Sequence, residues 1–281
     1  MTQVFDGIPS GKAENWELFH PSLPIPDSLP PGALLLADKP LGWTSFDVVG
    51  KLRYHFSRRA GVKRIKIGHA GTLDPLATGL LQICIGAYTK RIEQLQASHK
   101  VYEGVMVFGA TTPSCDREKP FDAFFPTGHL DDALIQRLAN QFTGEIVQTP
   151  PVFSAVKVEG KRLFDLARAN RPAEIPERKV EIFALEMGPL RPLEAPALPA
   201  AAPIVLGAKT GAILQYPDYE GGIACDFRVS CSKGTYIRSL VRDIGAAAGS
   251  GAYLSALRRT QSGDFVIADA WDVALLTEAL R

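Results

Sequence analysis

The sequence predicts a mixed α/β fold, and three observations carry that prediction. VYEGVMVF (101–108) and ACDFRVSCS (224–232) alternate apolar and polar residues with the two-residue period of half-buried strands. Phe46, Val49, Leu52 and Phe56, and again Leu134, Leu138 and Phe142, recur at helical spacing. Glycine- and proline-punctuated stretches separate these blocks. With 281 residues, 46% of them apolar and 22% charged, the chain can bury either one large core or two lobes.

Residues 1–32 are Pro-rich and aperiodic, and they predict an extended N-terminal arm. ALLLAD (33–38) predicts a buried strand, Lys39-Pro40-Leu41-Gly42 a turn, and Thr44 or Ser45 the N-cap of a helix reaching about Arg59. IGHAGTLDPLATG (67–79) predicts a long loop, followed by a strand from Leu80 to Ile85. After the strand at 101–108 come a helix over 130–142, a strand at 153–158, a helix from about Arg162 and a strand near Val180. The Pro- and Ala-rich stretch 189–222 predicts an insertion, a surface loop or small hairpin. Beyond the strand at 224–232, Thr235 is expected to cap a helix through about Ala248. A strand pair near 254–267 and a short helix from Asp269 close the chain.

No apolar run approaches the ~18 residues of a membrane helix, and the N-terminus has no basic-then-apolar leader, so a cytoplasmic protein is expected. Cys84, Cys115, Cys225 and Cys231 form no C-x-x-C pair and predict reduced thiols, mostly in strands. Phosphate-loop, zincin, nucleophile-elbow and dinucleotide motifs are missing, and His20, His55, His69, His99 and His129 are dispersed, so no metal site is expected. The formal net charge is only +1, yet Lys51, Arg53, Arg58, Arg59, Lys63, Arg64 and Lys66 fall within sixteen residues that contain no acid. That stretch is either a nucleic-acid surface or a solvated helix face.

Two segments could carry chemistry. In Gly68-His69-Ala70-Gly71-Thr72-Leu73-Asp74-Pro75 the glycines let the backbone pass close to a partner, and Asp74 is followed by a rigid proline. Asp-Pro is equally a turn starter, and His69 equally a hydrogen-bonded structural histidine. In Cys231-Ser232-Lys233-Gly234-Thr235-Tyr236-Ile237-Arg238, Arg238 stands in the first turn of a helix, where the dipole disfavours a cation. It therefore has a carboxylate or phosphate partner, or shares a solvated face with Arg242.

Six ordered blocks between about residues 33 and 267 resemble the TruB family of tRNA pseudouridine synthases. They are ADKPLGWTSFDVV (37–49), GHAGTLDPLATGLL (68–81), HKVYEG (99–104), TPPVFSAVKVEGKRLFDLAR (149–168), CSKGTYIRSLVRDIG (231–245) and LRRTQSGDF (257–265). The resemblance implies a pseudouridine-synthase fold, α+β, with a central, largely antiparallel sheet flanked by helices in one catalytic domain over 33–270. It implies isomerisation of the T-loop uridine at position 55 of tRNA, without cofactor or metal. Asp74 is implied as the catalytic carboxylate, and His69 as the histidine that helps hold the target nucleotide outside its stack. Tyr102 is implied to stack on the flipped uracil, and Tyr236 to line the pocket. Arg238 would pair with the catalytic carboxylate, and Leu257 would form an apolar wall. The expected partner is the tRNA T-arm, with no membrane and no obligatory protein partner, and the protein is expected to be a monomer. Many relatives continue into a C-terminal PUA domain, whereas 271–281 predicts only a helix. An RNA-guided enzyme of the dyskerin type and a non-catalytic tRNA chaperone are the rival functions; the missing PUA domain disfavours the first, and intact Asp74, Tyr102 and Arg238 disfavour the second.

Overall fold

The computed structural model describes residues 18–22, 25, 29–154, 157–158, 161–163, 174–193, 204–208 and 211–281. Most of the expected N-terminal arm, the helix from Arg162 beyond Leu163, and the middle of the 189–222 segment lie outside the described residues. The chain begins with β1 (Leu18–Phe19), β2 (Gly32–Lys39), α1 (Ser45–Arg59), β3 (Ile67–Ala70), β4 (Ala77–Gly86), α2 (Ile92–Gln96) and β5 (Lys100–Phe108). It continues with β6 (Ala110–Thr111), β7 (Ala123–Phe124), α3 (Asp132–Gln141), β8 (Gly144–Gln148), β9 (Lys157–Val158), β10 (Lys161–Arg162) and β11 (Arg178–Pro192). Then follow β12 (Ile204–Ala208), β13 (Gly211–Gln215), β14 (Ile223–Cys231), α4 (Ile237–Ala247), β15 (Ala252–Ser262), β16 (Phe265–Val266), β17 (Trp271–Asp272) and α5 (Val273–Ala279).

These elements divide into two compact units. Among the described residues, a middle unit is built on Glu103–Ile204 and Leu214–Ala256, and a terminal unit on Leu18–Tyr102, Val205–Ile213 and Leu257–Arg281. Strands β5 and β15 run from one unit into the other.

In the terminal unit the strand order is β1-β2-β4-β15, with β3 also on β4 and β17 also on β2. The two faces of β2 account for its uninterrupted apolar sequence. Ala33, Leu35 and Ala37 point toward Val48, Val49, Leu52 and Phe56 of α1 and Val273 and Leu276 of α5. Leu34 and Leu36 pack on the other face with Ala70, Leu80, Cys84 and Leu95. A strand covered on both sides must be apolar at every position, so alternation disappears. Helix α1 begins where Thr44 Oγ1 accepts the Asp47 N–H at 3.0 Å while the Asp47 carboxylate accepts the Thr44 N–H at 2.8 Å, a reciprocal capping box.

In the middle unit β11 lies between β14 and β8, antiparallel to both, with irregularities at Ile182/Ala184 and Met187/Leu190 that bend this long strand. Ile135, Leu138 and Ala139 form the buried face of α3, and Ile237, Leu240, Val241 and Ile244 that of α4.

The sheet is mixed, which corrects the largely antiparallel expectation. β1–β2, β17–β2 and β4–β15 are parallel pairs, whereas β2–β4, β3–β4, β11–β14 and β8–β11 are antiparallel. Parallel pairs join segments distant in sequence, Thr78 with Arg258 for example, and a two-residue alternation says nothing of strand direction.

Smaller corrections follow from local chemistry. The expected 67–79 loop is shorter, because β3 and the start of β4 take up its ends. Of the strand expected at 153–158, residues 153–154 form a bend, 155–156 lie outside the described residues, and Lys157–Val158 form β9. Tyr236, not Thr235, is the N-cap of α4, because the Thr235 hydroxyl donates to the Ser232 carbonyl at 2.9 Å. Asp272, not Asp269, starts the last helix by accepting the Ala274 and Leu275 N–H groups. All four cysteines are free and buried, three in strands and Cys115 in a turn with φ 58°.

Candidate active site

Asp74 sits half-buried in the short loop that links β3 to β4. The backbone around it is tied down on both sides. Ser45, the first residue of α1, accepts the Leu73 N–H on its hydroxyl at 2.9 Å and donates to the Leu73 carbonyl at 3.2 Å. The Pro75 carbonyl accepts the Gly42 N–H at 2.9 Å, and the Asp74 carbonyl accepts the Ala77 N–H at 3.1 Å. These bonds hold the loop through its backbone and the Ser45 hydroxyl.

Two buried cations flank the loop. Lys39, at the end of β2, is fully buried, and its Nζ donates to the carbonyls of Trp43 at 2.6 Å, Pro40 at 3.0 Å and Pro75 at 3.3 Å. Burial pulls its ammonium down to about 7, against the opposing pull of Asp74, Asp47 and Asp38. Three carbonyl acceptors suit an ammonium, which has three N–H bonds to give, better than an amine. Arg259, on β15, is 1% exposed and donates from Nε to the Leu80 carbonyl at 2.7 Å and from Nη2 to the Gly71 carbonyl at 3.0 Å. Gly71 and Gly79 make this approach feasible. Both have positive φ, and a Cβ on Gly79 would lie 2.3 Å from the Arg259 carbonyl oxygen.

His69, on β3, stands edge-on to Phe46, with ring centroids 5.2 Å apart at 85°. Phe46 was expected on the core face of α1, yet it is 67% exposed, since the first turn of the helix faces the Asp74 loop through Ser45. Burial and the Arg259 guanidinium pull the His69 imidazole down to about 4, and its Nδ1 is buried without a hydrogen-bond partner among the described residues. His69 is thus a neutral ring at physiological pH, suited to stacking and shape and unsuited to acting as a phosphate-binding cation.

A pH dependence follows. With the folded value depressed below the unfolded 6.5, the unfolded state binds the proton first as pH falls, so stability is full above 6.5 and declines toward about 4. The loss attributable to His69 is on the order of 2 kcal/mol. Denaturant unfolding of wild type and His69→Gln across pH 4–7 checks this: the difference in stability between the two proteins should shrink or reverse on acidification.

Leu257, half-buried on β15, pairs with Ala77, three residues past Asp74, and its carbonyl accepts the Thr78 hydroxyl at 3.4 Å. Strands β3, β4 and β15 therefore assemble His69, Asp74 and Leu257 within the terminal unit. Tyr102, 9% exposed, is on β5 and belongs to the same unit.

Tyr236 and Arg238 belong to the middle unit, at the start of α4. The Tyr236 N–H donates to the Gln148 side chain at 3.1 Å, and the Arg178 guanidinium lies 5.7 Å from the centre of its ring. Arg238 is 5% exposed. It donates to the Ser114 carbonyl at 3.1 Å and the Phe153 carbonyl at 2.8 Å, and its Nε is 3.7 Å from the Asp116 carboxylate, itself buried. The alternative of a solvated face shared with Arg242 is thereby excluded.

Sequence reasoning missed Lys39, Ser45, Phe46, Asp116 and Arg259 as parts of these clusters. Lys39 precedes a proline and reads as part of a turn, Arg259 lies in the block 257–265 without a role being read from it, and Asp116 lacks any local pattern. The signals for Lys39 were its place in the block 37–49 and a charged residue ending an otherwise apolar strand. Among the described residues no group of three or more His, Cys, Asp or Glu side chains could hold a metal ion. Nor is any described helix long and apolar enough to cross a membrane.

Comparison with known proteins adds the family. Residues 58–195 match the sequence model of the TruB family pseudouridylate synthase N-terminal domain, and residues 238–281 that of the tRNA pseudouridylate synthase B C-terminal domain. The tRNA pseudouridine synthase B of Flavobacterium johnsoniae is 46% identical over 257 residues, covering 91% of this chain and 99% of that protein. The chain belongs to the TruB family. A second TruB relative, the tRNA pseudouridine synthase B of Phocaeicola vulgatus, is 46% identical over 249 residues, 89% of this chain and 93% of its own. Among solved structures, a chain of the "Structure of H/ACA RNP bound to a substrate RNA containing 2'-deoxyuridine" aligns with a TM-score of 0.56 at 24% identity. The alignment covers 96% of this TruB chain and 60% of that one, and the likeness is one of fold.

Proposed function

We propose that this protein is a tRNA pseudouridine synthase that isomerises the T-loop uridine at position 55, with Asp74 as its catalytic carboxylate and no cofactor. The observation that carries the assignment of Asp74 is its loop: a carboxylate held by a backbone fixed on both sides, beside the buried Lys39 ammonium, in a chain of the TruB family.

The chemistry fits a lone carboxylate. Isomerisation breaks the bond between ribose C1′ and uracil N1, turns the freed base and joins C1′ to C5, while the C5 hydrogen leaves to solvent as a proton and N1 takes up a proton from solvent. Atoms balance without an electron carrier. An ionised Asp74 serves as nucleophile at C1′ or C6, or takes a sugar proton on a glycal route. A buried counter-charge opposes the cost of holding that charge away from water, and Arg238 is proposed as that partner during catalysis.

The target base must leave its stack, which costs a few kcal/mol that aromatic contacts offset. Tyr102 and Tyr236 are the proposed stacking and pocket residues. His69, with the exposed Phe46 against it, is proposed to support the displaced loop, and Leu257 to wall the pocket.

The test is release of tritium from tRNA carrying uridine labelled at C5. The purified protein should release one equivalent per tRNA without added metal or cofactor. No release from tRNA that the protein demonstrably binds would remove the isomerase assignment.

A further inference from the structure

We propose that an open groove along the outer face of α1 holds the phosphate backbone of the RNA substrate, at a site separate from the base pocket. The groove has a volume of about 440 Å³ and is lined by Gly50, Arg53, Tyr54, Ser57, Arg58, Val62, Lys63 and Arg64, four cations with no acid. Gly50, Arg53, Tyr54, Ser57 and Arg58 share one side of the helix by their three- and four-residue spacing, while Leu52 and Phe56 face the core. The turn after the helix supplies the opposite wall. The Ser57 hydroxyl accepts the Ile65 N–H at 3.0 Å, and the Ser57 carbonyl accepts the Val62 N–H at 3.0 Å, which fixes Lys63 and Arg64 beside the helix.

The lining suits RNA. Arg58, Lys63 and Arg64 are exposed, as a polyanion requires, and Tyr54 is 60% exposed with its neighbours supplying positive charge. Cations interleaved with an aromatic surface are the usual means of gripping a nucleic-acid strand without reading its sequence. Gly50 is a second, independent indication. A glycine inside a helix is destabilising relative to alanine, and here a Cβ would meet nothing within 4 Å among the described residues, so their packing does not account for it. A partner that comes close to the helix backbone does account for it.

The groove is also placed to serve the pocket. The Ser45 end of α1 is pinned to Leu73, beside Asp74, and the rise of 1.5 Å per residue puts Gly50 to Arg58 about 8–20 Å along the axis from that pin. RNA adjoining a nucleotide bound at Asp74 spans such a distance in a few steps.

The inference rests on tRNA being the substrate, as proposed above. The test compares wild type, the triple variant Arg58→Gln/Lys63→Gln/Arg64→Gln, and Gly50→Leu, which fills the groove with a better helix former and leaves the charge alone. Unmodified tRNA is titrated over a salt series, and tritium release gives kcat and KM. The triple variant should bind about tenfold or more weakly near 0.1 M salt, with a log–log salt slope shallower by about 2. Gly50→Leu should also weaken binding, with the wild-type slope, and both variants should keep the wild-type kcat at saturating tRNA. Wild-type affinity and slope in both variants would overturn the proposal, as would variants that lose binding to anionic vesicles or an acidic peptide but not to tRNA. Wild-type protein that binds tRNA through the groove yet releases no tritium would overturn the isomerase assignment alone.

Discussion

Asp74→Asn is expected to reduce turnover by at least about 10⁴-fold while leaving the affinity for unmodified tRNA within about threefold of wild type. The amide keeps the volume and planar shape of the carboxylate but loses its charge and nucleophilicity. The loop should keep its course, because it is held through the backbone of Leu73, Asp74 and Pro75 by Ser45, Ala77, Gly42 and Lys39. Single-turnover kinetics alongside filter binding separate the two effects. Turnover within tenfold of wild type would remove Asp74 from the catalytic role, and a collapse of binding would make its role structural.

Arg238→Ala carries the second large effect, on stability as well as on rate. The guanidinium is 5% exposed and serves the Ser114 and Phe153 carbonyls together with the Asp116 carboxylate. Truncation strands buried acceptors and takes a cation away from a buried acid, at a cost of about 3–5 kcal/mol. Activity should fall strongly even at a temperature where the variant remains folded, since Arg238 is the proposed counter-charge of Asp74. Arg238→Lys should recover only part of the stability, because an ammonium cannot reproduce the planar fork that spans these acceptors. Combining Arg238→Ala with Asp116→Asn should be less destabilising than the sum of the single changes. Denaturant midpoints of the four proteins check this, and strict additivity would contradict the ion pair at 3.7 Å.

Elements whose pattern is local were legible. The strand at 101–108 and the helix over 130–142 lie where periodicity puts them, and α1 starts at Thr44, one of its two candidate caps. What was not legible depends on distant partners. Strand β3 has four residues, one of them Gly68, and exists because Ile67–Ala70 pair with Gln82–Ile85. Its sequence alone reads as loop. The parallel pairing of β4 with β15 is a meeting of segments some 180 residues apart.

The same holds for the site. Asp74 stood out through the glycines, the proline and the ordered blocks of the resemblance, and family membership is now independently established. Lys39 and Arg259 did not stand out, because what makes them notable is burial and three-dimensional company: carbonyls of Trp43, Pro75, Leu80 and Gly71 that the fold aims at them. Phe46 shows the converse. Its spacing placed it on the apolar face of α1, but the first turn of that helix is the one that meets the Asp74 loop, and the ring is left in the open against His69.

The central claim is that this chain uses Asp74 to convert one T-loop uridine of tRNA to pseudouridine. Its most direct test is nucleotide-resolution mapping of pseudouridine in tRNA transcribed without modifications, after incubation with the wild-type protein or with Asp74→Asn under identical conditions. The account predicts a single new pseudouridine, at position 55, with the wild-type protein and none with the variant. Modification at another position, no modification by a wild-type protein that binds the tRNA, or an equal signal from Asp74→Asn would contradict it.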